Sequence, residues 1–194
     1  MLKVMLVGKK GTGKDELARQ LIERMPQVQR ASFADAMKRD TADMLNRACA
    51  RYEIKDGRPI FPTDDIDAIN QYRALLRPLW QWYGTDFVRR IDPDYWVRRL
   101  ALRYTHVSNL VVTDCRFENE AEWGRRNGFL LVRVIGPDRR SLAQEGADDG
   151  IRHVSETALA DISTRLEYRN EGTIAQMGEW IDRTLIPQCA EWCF

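Results

Sequence analysis

The sequence is poor in cysteine, histidine, lysine and long apolar runs, and these shortages close off whole classes of function. Its 194 residues include four cysteines, Cys49, Cys115, Cys189 and Cys193. Only the last two lie close together, and no second close pair completes a zinc site. Reduced thiols are the expected state. Apolar runs such as residues 129–132 fall far short of the ~20 residues that a membrane-spanning helix needs. The mostly apolar N-terminus runs straight into Gly8-Lys9-Lys10, without the charged-then-apolar order of a secretory signal. A cytoplasmic protein with no membrane partner is the expectation. Six lysines stand against 24 arginines, and the 30 basic residues nearly cancel 29 acidic ones, for a formal charge of +1. A basic coat for nucleic acid is excluded as a bulk property, whereas a local basic cleft is not.

What is present is enough apolar material for a core, 44% against 30% charged. The pattern alternates strand and helix. Residues 2–7 read as a buried strand followed by a glycine-rich turn. Residues 15–25 have helical spacing through Leu17, Leu21 and Ile22, with Pro26 behind them. A short strand is expected over 28–32, a helix over 34–50 and a polar loop over 51–63. Helical periodicity returns over 66–83 and 95–104. Residues 109–114 form the clearest internal strand, 118–127 a helix closed by Gly128, and 129–135 another strand. Residues 138–151 are polar, 155–162 are a helix candidate, 166–169 a last short strand and 172–191 an amphipathic helix. Strands separated by helices predict an α/β fold with a mainly parallel sheet. Such sheets bind ligands beyond the carboxyl ends of their strands, here after Val7, Ser32, Thr113 and Ile135.

The most informative motif follows the first strand. Gly8-Lys9-Lys10-Gly11-Thr12-Gly13-Lys14-Asp15 fits G-x-x-x-x-G-K, with Asp15 where Ser or Thr is usual. Glycines let backbone N–H groups approach phosphate oxygens, and the helix N-terminus adds partial positive charge. Gly8, Lys10, Gly11, Thr12 and Gly13 are therefore candidates to cradle a nucleotide, with Lys14 reaching the β- and γ-phosphates. The Asp15 carboxylate is a charged oxygen ligand for Mg²⁺, directly or through water, or a helix-start charge favoured by the dipole, and the two roles can coexist. No N-K-x-D guanine motif is present, which disfavours a switch GTPase.

Several further segments narrow the class. These are Phe33-Ala34-Asp35-Ala36-Met37-Lys38, Gly84-Thr85-Asp86-Phe87-Val88-Arg89 with Asp92-Pro93-Asp94-Tyr95-Trp96-Val97 behind it, Asp114-Cys115-Arg116-Phe117-Glu118-Asn119-Glu120, and His153-Val154-Ser155-Glu156. With Gly13-Lys14-Asp15 they resemble the phage deoxynucleoside monophosphate kinase family, over nearly the whole chain. The resemblance implies a P-loop, nucleoside monophosphate kinase-like fold in one domain over 1–194, with an acceptor region near 33–105 and a lid insertion near 137–154. It implies a Mg²⁺-ATP donor, a deoxynucleoside 5′-monophosphate (dNMP) acceptor, a role in dNTP supply, a homodimer, and the host bacterial cytoplasm if the gene is a phage's. Residues 51–63 and the lid around Ala147 match no family pattern.

The acceptor phosphate needs guanidinium groups. Arg73, Arg77, Arg89 and Arg90 flank an aromatic stretch, and Arg73 and Arg89 fit the family's positions; a solvated helix face is the other reading of each. Phe33, Asp35, Lys38, Gln81 and Trp96 complete the candidate acceptor set, though Asp35 also suits a helix cap and Trp96 a core. Asp114 ends an apolar strand, where an acidic residue holds Mg²⁺ or its waters. Arg116, Arg139 and Arg140 are candidates to stabilise the transferring phosphoryl group, the last two from the lid. Kinases of phosphomevalonate or of a modified pyrimidine within DNA are rival readings, as is a P-loop ATPase or regulatory module without an acceptor. Near-neutral charge favours a free nucleotide over stable nucleic-acid binding.

Overall fold

The strand nearest the N-terminus becomes the centre of the sheet. In the computed structural model, which describes residues 1–137 and 162–192, β1 (Leu2–Val7) pairs in parallel with β3 (Asn109–Cys115) on one side and β4 (Leu130–Ile135) on the other. Strands β2 (Gln29–Ala31) and β5 (Leu166–Arg169) form the edges, giving the order β2-β3-β1-β4-β5 with every pairing parallel. A parallel sheet must be covered on both faces, so its inner strands are nearly continuous apolar runs. In β1 only Lys3 is less than fully buried. Leu2, Val4 and Leu6 face one layer with Leu17, Ala18 and Leu21 of α1 (Lys14–Arg24). Met5 points the other way, against Gly124 of α6 (Glu118–Arg126), where an added Cβ would stand 2.8 Å from its Cε. Each such buried leucine contributes about 1.5–3 kcal/mol. The α/β class and the parallel sheet expected from the sequence are both present.

The chain divides into two compact units. Residues 1–32 and 104–194 contain the sheet, α1, α6 and a C-terminal helical stretch. That stretch comprises α7 (Ile174–Trp180), a widened π-turn (Ile181–Leu185) and α8 (Ile186–Trp192). The chemistry explains the widening. Pro187 has no N–H for the Arg183 carbonyl and would press on it in a regular helix, and the π-turn before it takes up the misfit. Thr173 starts the stretch by accepting from the Gln176 N–H, while the Gln176 side chain accepts from the Thr173 N–H at 2.8 Å.

Residues 33–103 form the helical unit. Its elements are α2 (Phe33–Arg51), α3 (Ile66–Asn70), α4 (Arg73–Gln81) continued by a π-helix (Trp82–Arg89), and α5 (Tyr95–Arg103). Two expectations are corrected here. The periodic stretch over 66–83 is two helices that part at Gln71 and Tyr72, and the Gly84–Arg89 segment continues the second helix as a π-helix. Gly84 is a point of close approach. A Cβ there would collide with Met37 Sδ, and the Gly84 carbonyl accepts from the buried Trp96 indole at 2.9 Å. The 51–63 loop contains one 3₁₀ turn (Ile54–Gly57). The rest of its course is pinned by Asn46, whose Oδ1 accepts from the Ile60 and Phe61 N–H groups. The candidate lid, apart from Pro137, and nearly all of the helix candidate at 155–162 lie outside the described residues. Among those described, no helix is long and apolar enough to cross a membrane.

A second buried indole of the helical unit is also paired. Thr41 Oγ1 accepts from the buried Trp80 Nε1 at 3.0 Å and donates back to the Met37 and Lys38 carbonyls. A buried donor left without its acceptor costs its desolvation. Thr41→Val, equal in shape but without the oxygen, is expected to lower stability by about 1–3 kcal/mol and Thr41→Ser by less. Urea unfolding followed by tryptophan fluorescence measures both; equal stability of Thr41→Val and the parent would refute the role given to this contact.

Candidate active site

The site begins where β1 ends. Between two parallel neighbours the chain has to turn sharply, and Gly8 turns it against the Val134 carbonyl, where a Cβ would lie 2.5 Å from the oxygen. Gly11 (φ +82°) and Gly13 (φ +99°) hold left-handed conformations that side chains resist. Thr12 is buried inside the curve and donates from Oγ1 to the Lys9 carbonyl at 2.9 Å. Lys14 opens α1, and its ammonium donates to the Gly8 carbonyl at 2.8 Å and the Lys9 carbonyl at 2.6 Å. A cation thus sits within the loop at the positive end of a helix, an arrangement that favours anions.

Carboxylates flank the loop. Asp15 is 69% exposed, with Oδ1 3.9 Å from the Arg30 guanidinium of β2. Asp114 lies near the end of β3, where the β1–β3 register slips: Met5 faces Val112, but Val7 faces Cys115. Its Oδ2 accepts from Ser32 Oγ, on the neighbouring strand end, at 2.6 Å. Short O–H···O⁻ bonds of this kind are strong and fix a carboxylate's orientation. Arg116 follows on the same loop. Its N–H, with that of Phe117, donates to the buried Glu120 carboxylate at 2.8 and 3.2 Å, so Glu120 starts α6 rather than serving chemistry. Burial, with Glu120 and Asp114 close by, pushes the Cys115 thiol well above its usual range, so it stays protonated. Arg133 donates to the Ile162 carbonyl. Arg139, Arg140 and His153 lie outside the described residues.

Mg²⁺ is commonly held by one or two carboxylates, with phosphate oxygens and water supplying the rest. The donor set suits that mode. Asp114 and Asp15 stand at strand and helix ends beside the loop, and no group of three or more His, Cys, Asp or Glu side chains forms an all-protein cage among the described residues.

The remaining candidates belong to the helical unit. Phe33 and Asp35 are buried in the first turn of α2. Lys38 Nζ lies 3.8 Å from Asp35 Oδ1 and 5.7 Å above the Trp80 ring. Arg73 and Arg77 are exposed on α4, and Gln81 is half-buried at its end. Arg89 closes the π-helix and donates to the Pro93 carbonyl at 3.4 Å. Trp96 is buried, edge-on to both Tyr83 and Tyr95, with its indole N–H committed to Gly84. Trp82 and Phe87 stack on each other at 5.4 Å and remain exposed. A cleft of about 300 Å³ is lined by Ala36, Arg39, Arg99, Leu102 and Arg103. In it Arg99 binds both oxygens of Asp40 at 2.9 and 3.0 Å.

Sequence reasoning missed two residues of the site, Ser32 and Asn170. Ser32 is legible only as a strand end, and nothing local in the sequence ties it to Asp114, 82 positions away. Asn170 contacts the loop directly, with Nδ2 donating to the Thr12 carbonyl at 2.9 Å. The signal for it is its place as the first polar residue past the fifth strand, at a carboxyl end of the sheet. Beside it a cleft of about 490 Å³ opens between Tyr168, Arg169, Glu171, Gly172, Gln176 and Trp180.

Comparison with known proteins shows the family of the chain. Among solved structures, a Thermus thermophilus protein is similar with a TM-score of 0.48 and 19% identity, over 98% of both chains. A sugar kinase from Janibacter sp. HTCC2649, solved without ligand, gives 0.45 and 15% identity over 97% of this chain and 98% of that one. A protein of Acanthamoeba polyphaga mimivirus named "Putative deoxynucleotide monophosphate kinase" is 28% identical over 182 residues, 84% of this chain and 85% of its own length. The family model for deoxynucleotide monophosphate kinase matches residues 59–181, well over half of the chain. By that match the chain is a nucleotide kinase, a phosphotransferase, and it belongs to the deoxynucleotide monophosphate kinase family.

Proposed function

We propose that the protein transfers the γ-phosphoryl group of ATP to a deoxynucleoside 5′-monophosphate, giving ADP and a dNDP on the way to dNTPs. The observation that carries this reading is the phosphate loop, with the Lys14 ammonium held inside it, in a chain of this family. Loop N–H groups from Gly8 to Lys14, with the α1 N-terminus behind them, bind the triphosphate. Lys14 exchanges two carbonyl partners for β- and γ-phosphate oxygens, a charge-assisted replacement. Mg²⁺, when bound, neutralises charge that develops between the β- and γ-phosphates. Asp114, oriented by Ser32, and Asp15, at the start of α1, are the carboxylates offered to it. Arg116 supplies a guanidinium on the loop after β3, and Arg139 and Arg140 supply two more from the lid.

The helical unit supplies the acceptor site. Arg73, Arg77 and Arg89 take the monophosphate, and Phe33, Asp35, Lys38 and Gln81 contact the nucleoside, backed by the buried Trp96. No general base is required, because the acceptor phosphate is already anionic near neutral pH. Catalysis is then positioning and charge stabilisation. A chain with formal charge +1 and six lysines supports a free nucleotide as acceptor rather than a DNA strand.

The direct test is ADP release from ATP with each dNMP and NMP in turn, and with DNA carrying normal or hydroxymethylated pyrimidines. ADP is expected only when a dNMP is present, and folded Lys14→Ala is expected to be slower by orders of magnitude. ADP release without any acceptor, or label appearing only in DNA, would replace this reading.

Metal dependence separates the carboxylates. Asp114→Asn and Asp15→Asn are each expected to raise the Mg²⁺ concentration for half-maximal rate, with Asp15→Ser retaining more activity than Asp15→Asn. If Asp15 is only a helix-start charge, its replacement costs about 0.3–1 kcal/mol of stability and leaves the Mg²⁺ titration unmoved.

For the acceptor, Arg73→Ala and Arg89→Ala are expected to raise KM for dNMP at least tenfold while leaving KM for ATP within twofold. Steady-state kinetics with each substrate varied measures this, and equal damage to both substrates would count against the assignment.

A further inference from the structure

None of the proposed catalytic and binding roles falls on the corner where β5 meets the phosphate loop. Asn170 is only 5% exposed. Its Nδ2 donates to the Thr12 carbonyl at 2.9 Å in a buried bond, and its backbone N–H donates to the Ile135 carbonyl at 2.6 Å. The partner fixes the amide's orientation, since a carbonyl only accepts and the NH₂ end must face it. Gly13 packs so tightly against this side chain that a Cβ would collide with Nδ2. Gly136, just past β4, closes the third side, where a Cβ would lie 3.2 Å from Asn170 and from the Thr12 oxygen. The phosphate loop, the end of β4 and the end of β5 thus converge on one amide.

That convergence bears on the loop's chemistry. In a trans peptide the carbonyl and the following N–H point in opposite directions. With the Thr12 carbonyl drawn to Asn170, the Gly13 N–H is turned away from that corner. Gly11 at φ +82° and Gly13 at φ +99° give the loop its curve, yet glycines on both sides of Thr12 also leave its peptide easy to rotate. A rotated Thr12–Gly13 peptide would offer an incoming anion a carbonyl oxygen in place of an N–H. Binding would then first require the rotation to be reversed, which lowers apparent affinity by the fraction of loops in the wrong state.

We propose that Asn170 is a positioning residue for the donor nucleotide: its amide locks the Thr12–Gly13 peptide in the orientation that offers the Gly13 N–H to the triphosphate. The proposal rests on the reading of this loop as the ATP site. Asn170 acts through the loop, so its removal affects the donor and not the acceptor.

Asn170→Asp keeps the shape but sets a charged acceptor against the Thr12 carbonyl. Asn170→Ala removes the donor and leaves space for water. For both, ATP binding in the absence of acceptor is expected to weaken at least tenfold by calorimetry. KM for dNMP is expected to stay within twofold. In the nucleotide-free protein, hydrogen exchange is expected to rise at residues 11–14 and to stay unchanged in β1, β3 and β4. If Asn170→Asp does not fold, Asn170→Ala carries the test alone. A folded variant that binds ATP like the parent overturns the proposal. So does faster exchange throughout the sheet with ATP and dNMP weakened alike, which is the mark of a structural role only. Failure of the parent chain itself to bind ATP would overturn the donor-site reading and this proposal with it, an outcome distinct from parent binding with unaffected variants.

Discussion

Strand β1 is paired in parallel on both sides, and the site depends on that constraint. A strand flanked by β3 and β4 cannot leave the sheet sideways, so the chain has to reverse over the carboxyl edge within a few residues. The reversal needs a residue without a side chain against the Val134 carbonyl, left-handed conformations at Gly11 and Gly13, and a helix that begins at once. These requirements together give the loop its tight curve ahead of α1. A helix N-terminus carries partial positive charge, and Lys14 brings an ammonium to the same end.

The neighbouring strand ends complete the surroundings in the same way. A parallel sheet puts all its carboxyl ends on one edge, so residues far apart in sequence gather there without any local signal between them. Ser32 from β2 meets Asp114 from β3, and Asn170 from β5 meets Thr12 from the loop. Each contact joins a polar side chain to one oxygen whose orientation matters, a carboxylate in one case and a peptide carbonyl in the other. The register slip at Val7 and Cys115 falls beside Asp114, in keeping with the tendency of sheet irregularities to re-aim residues near active sites.

The helical unit is organised differently. It has no sheet edge to collect residues, and its polar groups are arranged along helices and their junctions. Some are tied to neighbours, such as Arg99 on Asp40 and the Trp96 indole on Gly84, and Arg73, Arg77 and Arg90 lie exposed. Arginine content alone therefore says little about which guanidinium groups serve a ligand.

Much was legible in the chain itself. The apolar run of residues 2–7, the glycine spacing behind it and the alternation of strand and helix determine a parallel α/β sheet with a phosphate loop. These signals are local, and a strand–turn–helix of this kind leaves few alternatives. The family was legible for a similar reason, since its motifs are short segments next to strand and helix ends. Local patterns could not reveal that Gly84 sits inside a π-helix, because its role is to let Met37 and the Trp96 indole approach, and neither is near it in sequence. Nor could they join Ser32 to Asp114 or Asn170 to Thr12, which are 82 and 158 residues apart. The sequence by itself determined the strands of the sheet and the place of the glycine-rich loop. Only the tertiary structure decided which polar side chains orient that site, because sheet order, not chain order, brings strand ends together.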